Sequence, residues 1–158
     1  MDNEKVIGVI NDLIRINNDR VVGYEKAIEE LKDGDADLKI LFQKYITDSR
    51  QYSRELTTEV TRLGGDPAQG TTNSGKIYRV WMDVKAAFSG DDALAALQSC
   101  EFGEDNALKA YRNALQKDIT WPIGTREILE SQYASLKASH DKIKRLRDEY
   151  SSMASNTR

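Results

Sequence analysis

Apolar residues recur in steps of three and four along several long stretches of the chain, which places them on one face of an α-helix. The first stretch extends from about Asn3 to Asp33, and Gly34 follows it as a glycine at a helix C-terminus does. The second extends from about Ala36 to Leu63, before a glycine-rich polar loop that reaches residue 74. Because so few residues connect these two helices, they are predicted to be antiparallel neighbours.

A second pair of long helices follows in the other half of the chain. The third helix is predicted to begin at Asp91 or Asp92 and to continue to about residue 118. Pro122 then forbids a continuous helix. The fourth helix is predicted from about Thr125 to Met153, and this pair is also expected to be antiparallel.

Residues 75–90, between the two pairs, form a shorter amphipathic pattern with Trp81 on its apolar face. One interpretation is a crossover helix that seals the side or end of a bundle. The other is an interface through which the chain forms a homo-oligomer, because an exposed face of this kind needs something to pack on.

The pattern therefore predicts an all-α protein, a single bundle domain over residues 1–158. The composition agrees, because charged residues make up 31% of the 158-residue chain and only two residues are proline. A chain of this length can bury a substantial core in one domain.

Two glutamates, Glu101 and Glu104, fall on the apolar seam of the third helix, where leucines flank them. Burying a carboxylate costs several kcal/mol unless it is paired, protonated or bound to a metal. The third helix is therefore the first place to look for a functional site.

The two hairpins also repeat each other: Tyr24 and Tyr111 are 87 residues apart, as are Asn17 and Glu104. Residues at the same height in an antiparallel pair have numbers that add to a constant, here 69 in the first hairpin and 244 in the second. If the helices are straight, four tyrosines are predicted to share one core layer: Tyr24, Tyr45, Tyr111 and Tyr133. A polar layer is predicted two turns away: Asn17, Tyr52, Glu104 and His140.

The polar layer has two interpretations. In the first, His140 and Glu104 neutralise each other, and neighbouring polar groups complete their hydrogen bonds. In the second, Glu101, Glu104 and His140 bind a divalent metal ion, zinc, iron or manganese, for which they have suitable ligand types.

Charge and cysteine content narrow the possible partners and the possible cellular compartment. A net charge of −3 gives no basic footprint for nucleic acid, and the cationic run at residues 137–147 suits the end of a helix. No apolar run approaches the length of a membrane span, and no secretory signal is evident. The single cysteine, Cys100, fits a reducing compartment and a buried, unreactive thiol, so a cytoplasmic protein is expected.

Four strings resemble a bacterial family of four-helix-bundle proteins without an assigned function, which is grouped in the ferritin-like superfamily. They are TRLGGDP at 61–67, WMDVK at 81–85, CEFGEDNALKAYRNAL at 100–115 and QYASLKASHDKIKRLRD at 132–148. The resemblance spans nearly the whole chain. It implies a ferritin-like up-down antiparallel four-helix bundle, with the crossover helix in the long connection between helices two and three.

Di-iron members of that superfamily use a glutamate from each of two helices and a Glu-x-x-His pair from each of the others. Of these ligands only Glu104 and His140 are present here, because Asn17, Ser49, Tyr52 and Lys137 occupy the remaining positions. A small rotation of helix two could add Asp48 as a further metal ligand.

Three functions therefore stay open. The first is a non-catalytic scaffold with a degenerate metal site, for which the resemblance implies a stress-associated role. The second is a metal-binding protein or metal-dependent oxidoreductase with one or two ions, and the third is a helical interaction module. Whether the protein is an enzyme is left undecided.

Overall fold

The computed structural model describes residues 3–72 and 92–156. These ranges contain four long helices: α1 (Asn3–Glu30), α2 (Ala36–Arg62), α3 (Asp92–Gln116) and α4 (Ile123–Asn156). The all-α prediction is confirmed. The predicted crossover helix at 75–90, with Trp81 and the homo-oligomer contact, lies outside the described residues and stays a prediction.

The helix ends differ from the predicted ones by a few residues. α1 ends at Glu30 because Asp33–Asp35 form a short 3₁₀ turn, in which a side-chain oxygen of Asp35 accepts the Lys32 N–H at 3.2 Å. α4 begins directly after Pro122, whose carbonyl accepts the N–H of Arg126 at 3.0 Å. Proline is tolerated at this point because the first N–H groups of a helix have no partner within it.

The direction of each helix follows from the contacts that join the helices. Asn17 meets Tyr111 and Tyr24 meets Glu104, so α3 runs backwards relative to α1. α2 is antiparallel to α1, and α4 is antiparallel to α3. Consequently α2 and α3 run parallel, the arrangement of ferritin-like folds in which a long connection joins the two hairpins.

Residues 66–72, which follow α2, are held against α1 by polar side chains. Asn11 donates to the Asp66 carbonyl at 3.1 Å, and Asn18 donates to the Gly70 carbonyl at 2.7 Å. Asp19, nearly fully buried, accepts the N–H and hydroxyl of Thr72 at 3.1 and 2.6 Å. Burial raises the pKa of Asp19, and the two Thr72 hydrogen bonds act against that rise. Residues 66–72 therefore run back along α1.

Two apolar clusters fill the bundle, one toward each end. One contains Tyr24, Phe42, Tyr45 and Leu97, and the other contains Ile10, Leu56, Tyr111 and Leu129. The predicted layer of four tyrosines is wrong, because Tyr24 and Tyr45 lie in the first cluster whereas Tyr111 and the half-buried Tyr133 belong to the second. The hairpins are packed in opposite directions, so equivalent residues come to opposite ends.

None of the described helices combines the length and hydropathy needed to span a lipid bilayer.

Candidate functional site

A belt of buried polar side chains separates the two apolar clusters, and its centre is Arg20. Two guanidinium nitrogens of this residue, Nε and Nη2, lie 2.8 and 2.7 Å from Oε1 of Glu104. Both side chains are buried, with relative exposures of 2% for Arg20 and 0% for Glu104. Such a pair is stable in a core only if further hydrogen bonds satisfy its remaining donors and acceptors.

Those further bonds are present for Glu104. The hydroxyl of Tyr24 donates to Oε1, and Oγ of Ser139 lies 3.1 Å from Oε2. Both carboxylate oxygens are therefore engaged by groups of the protein itself.

The remaining donors of Arg20 are also used. Nη1 donates to Oγ of Ser49 at 2.7 Å and approaches the Tyr45 carbonyl at 3.3 Å, while Nη2 donates to Oγ of Ser139 at 2.9 Å. The rings of Tyr24 and Tyr45 each lie 5.3 Å from the guanidinium carbon, within cation–π range. We call this set the core ion-pair cluster: Arg20, Tyr24, Ser49, Glu104 and Ser139.

The charges of the pair affect the groups around it. Burial alone lowers the pKa of Arg20, but the adjacent Glu104 carboxylate, with smaller contributions from Tyr24 and Tyr52, more than offsets this, so the pKa lies above its ordinary value. Burial, with a further contribution from Glu104, raises the pKa of Tyr24 and of the Cys100 thiol. Cys100 is fully buried, and a protonated thiol is a poor nucleophile. Near neutral pH Arg20 therefore stays charged, and the Tyr24 hydroxyl and the Cys100 thiol stay protonated.

A chain of hydrogen bonds leads from this cluster toward the edge of the bundle. Ser49 donates to Asn17 at 3.1 Å, and Asn17 donates to the Tyr111 hydroxyl at 2.8 Å. Tyr111 donates to Gln132 at 2.6 Å, which in turn donates to the half-buried Glu55 at 2.9 Å. Buried polar networks satisfied in this way rigidify a core.

The 87-residue repeat appears in this belt as two equivalent contacts. Tyr24 bonds Glu104, and Tyr111 bonds Asn17. Tyr24 and Tyr111 are equivalent in the repeat, and so are Glu104 and Asn17. Each tyrosine therefore bonds an equivalent residue, as expected for two hairpins related by an approximate two-fold axis. The repeat predicted from the sequence is present, but it pairs residues across the bundle rather than stacking them in layers.

Of the predicted polar layer, the structure brings Asn17 and Glu104 into the belt, linked through Ser49 and Arg20. Tyr52 contributes its backbone carbonyl, which accepts from Gln132 at 3.4 Å. His140 lies nearer the surface, with its side chain 14% exposed. The predicted pairing of Glu104 with His140 is wrong: shared height does not ensure a shared direction, and the smaller Ser139 faces the carboxylate instead.

His140 belongs to a separate group between α3 and α4. Its Nε2 lies 2.5 Å from Oδ1 of Asp105, and its Nδ1 lies 3.1 Å from Oδ1 of Asp141. Glu101 is paired with Arg147 at 2.8 Å. One ligand atom each from Glu101, Asp105 and His140 lie within 4.8 Å of one another, the only such trio of histidine, cysteine or acidic residues in the described part of the chain. We call this trio the surface cluster.

The metal ligands predicted from the sequence are therefore divided between two places. Glu101 and His140 come together, whereas Glu104 faces inward and its neighbour Asp105 completes the trio.

The sequence pattern does not identify Arg20 as a core residue. Steps of three and four lead from Asn17 to Tyr24 equally well through Arg20 or through Val21, and the apolar pattern favours Val21. The buried Glu104, which needs a cation, was the signal that favoured Arg20.

The sequence family described as "Domain of unknown function (DUF2383)" matches residues 5–117. No curated protein matches the chain in sequence. The solved structures that are similar to this bundle include the two described next, and both likenesses concern the fold alone because the sequence identities are low.

One of them is described as ferritin-like, diiron-carboxylate proteins from Bacillus anthracis str. Ames. It has a TM-score of 0.71 and 17% identity, over 93% of this chain and 99% of the other. The second is a mutant of Mycobacterium smegmatis Dps1, with a TM-score of 0.78 and 14% identity over the same shares. The four described helices therefore form a ferritin-like four-helix bundle.

Proposed function

The chain belongs to the family of the domain of unknown function DUF2383, and we propose that it is a non-catalytic ferritin-like bundle that acts as a scaffold. In this proposal an internal ion pair fills the position where metal-binding members of the fold hold their ions. The observation that carries the proposal is the Arg20–Glu104 pair, fully buried at the middle of the bundle.

The four helices converge on this point as they do around a dinuclear centre, but with different chemistry. α1 supplies Arg20, α2 supplies Ser49, α3 supplies Glu104 and α4 supplies Ser139. A dinuclear site needs several carboxylates and histidines in this position, whereas here a single carboxylate faces a guanidinium. The fixed positive charge of Arg20 would repel a metal cation, and serine hydroxyls are weak ligands.

The comparison with a diiron-carboxylate structure makes an oxidoreductase the natural competing hypothesis. The two hypotheses differ in what Glu104 does. In a metal enzyme it would be a ligand required for turnover, whereas in a scaffold it is required only for a stable core.

Anaerobic addition of Fe²⁺ to the full-length protein, followed by oxygen, tests the proposal. We expect iron oxidation at the rate measured in buffer alone. Acceleration by the wild-type protein would contradict the non-catalytic function, and the variants Glu104→Gln and His140→Ala would then show whether the core or the surface cluster is responsible. Circular dichroism of each variant establishes that it is folded before its rate is compared.

A further inference from the structure

We propose that Glu101, Asp105 and His140 form a surface site for one divalent transition-metal ion, for which Zn²⁺ is the best match. The site lies between α3 and α4 and is separate from the core ion-pair cluster. It therefore does not depend on the proposed scaffold function, which concerns the core.

The backbone places the three ligands together. Glu101 and Asp105 are four residues apart on α3 and so project from the same face of the helix. His140 approaches them from α4, and one ligand atom of each residue lies within 4.8 Å of the others. Ligands bound to zinc at about 2.0–2.2 Å lie about 3.4 Å from one another in a tetrahedron, so small side-chain movements would close the site.

A second observation concerns the orientation of the imidazole. Asp141 lies outside the trio, and its Oδ1 is 3.1 Å from Nδ1 of His140. A carboxylate on one ring nitrogen is the common partner of a metal-ligating histidine, because it holds the proton on that nitrogen and directs the lone pair of the other toward the metal. Here the other nitrogen, Nε2, is the one that points at Asp105.

The charges of the trio also suit a divalent ion. Two carboxylates and a neutral imidazole carry a charge of −2, which the metal would neutralise. The metal would take the place of the direct contact between Nε2 of His140 and Oδ1 of Asp105. Three protein ligands leave a fourth position for water, as in open zinc sites.

Arg147 competes for this site. Its Nη1 lies 2.8 Å from Oε2 of Glu101, but its Nη2 also lies 2.9 Å from Asp148. The Arg147 side chain is 29% exposed, so it can retain Asp148 as a partner while Glu101 turns to the metal. Removing Arg147 should therefore strengthen metal binding, an effect that non-specific attraction of cations to surface carboxylates elsewhere would not show.

Zinc is favoured over other ions by the mixture of donors. One imidazole and two carboxylates suit Zn²⁺, which has no strong preference for geometry, whereas Mg²⁺ and Ca²⁺ prefer oxygen ligands alone.

Calorimetric titration of the full-length protein, stripped of metal with a chelator, tests the proposal with ZnCl₂ as the probe. We expect one equivalent to bind with a micromolar or tighter dissociation constant. His140→Ala and Asp105→Asn should each weaken binding by at least about tenfold, and Asp141→Asn by about 10- to 100-fold. Arg147→Gln should tighten it.

Glu130→Gln is the matched control. Like Asp141→Asn, it removes one exposed carboxylate from α4, but this carboxylate is the partner of Arg126 at 2.8 Å. Its zinc affinity should equal that of the wild type. Millimolar binding by the wild type would overturn the proposal. So would unchanged affinity in both His140→Ala and Asp105→Asn, or weaker binding in Arg147→Gln.

Discussion

Glu104 and Asp105 are neighbours in sequence, but they belong to two clusters with opposite properties. Successive residues of a helix are about 100° apart, so one carboxylate points into the bundle and the other points outward. Glu104 is fully buried and all its partners are supplied by the core. The side chain of Asp105 is 61% exposed and contacts His140.

This difference decides which carboxylate can bind something new. Around Glu104 the effective dielectric constant is low, so losing Arg20 would leave an uncompensated charge with no water to replace the missing partner. Around Asp105 water screens the charges, and a partner can leave at little cost. The core ion-pair cluster is therefore fixed, whereas the surface cluster can take up an ion.

The largest effect is expected from breaking the core pair on one side. Arg20→Met should destabilise the protein by about 3–5 kcal/mol, because it leaves Glu104 buried without a cation. In the double variant Arg20→Met/Glu104→Leu no charge remains, and most of that loss should be recovered. Urea unfolding measures both, and a double variant less stable than Arg20→Met would show that the pair is not the source of the effect.

Tyr24→Phe removes one hydrogen bond to the pair while keeping the ring. A bond to a charged acceptor contributes about 1.5–3 kcal/mol, so we expect a loss of stability in that range. Tyr133→Phe is the matched control, because Tyr133 is half-buried against the other apolar cluster, and it should stay within about 0.5 kcal/mol of the wild type. Equal losses in the two variants, again by urea unfolding, would mean that the Tyr24 hydroxyl contributes nothing specific.

Alkaline pH should weaken the core through Tyr45. Burial, with a smaller contribution from Glu104, raises the pKa of this tyrosine to about 12, whereas the unfolded chain releases the proton near pH 10. The contribution of Tyr45 to the free energy of unfolding is complete below the pKa of the unfolded chain. It is lost as pH rises toward the pKa of the folded protein. Tyr45→Phe should therefore reduce the decline in unfolding free energy between about pH 10 and 12, by at most about 1.4 kcal/mol per pH unit.

Some decline will remain in the Tyr45→Phe variant, because the pKa values of Tyr24 and Tyr111 are also raised, chiefly by burial. An identical slope in the variant and the wild type would show that Tyr45 titrates normally.

The smallest effect is expected at the surface. Asp105→Asn should change the free energy of unfolding by less than about 1 kcal/mol in the absence of metal, because the pair it breaks is exposed. Glu104→Gln makes the same chemical change one residue earlier and should cost about 3–5 kcal/mol, since it leaves Arg20 buried without its counter-ion. Similar values for the two variants would remove the distinction between the clusters.

The sequence by itself determined the helices and the pairing within each hairpin. Apolar spacing located the four long helices to within a few residues, because the 3.6-residue period and the glycine and proline boundaries are local properties of the chain. The constant sums of 69 and 244 also hold closely, as the contacts of Arg20 with Ser49 and of Asp105 with His140 show. Short connections and hydrophobic seams leave little freedom in these registers.

The tertiary structure alone decided how the two hairpins face each other and which polar residue of each seam turns inward. The 87-residue repeat is compatible with stacking the hairpins in the same direction or in opposite directions, and only the packed bundle distinguishes Tyr24 beside Glu104 from Tyr24 beside Tyr111. Arg20 and Val21 fit the seam of α1 equally well, as Ser139 and His140 both lie near that of α4. Steps of three and four cannot separate adjacent residues of a helix, so the partner across the core, here the carboxylate of Glu104, makes the choice.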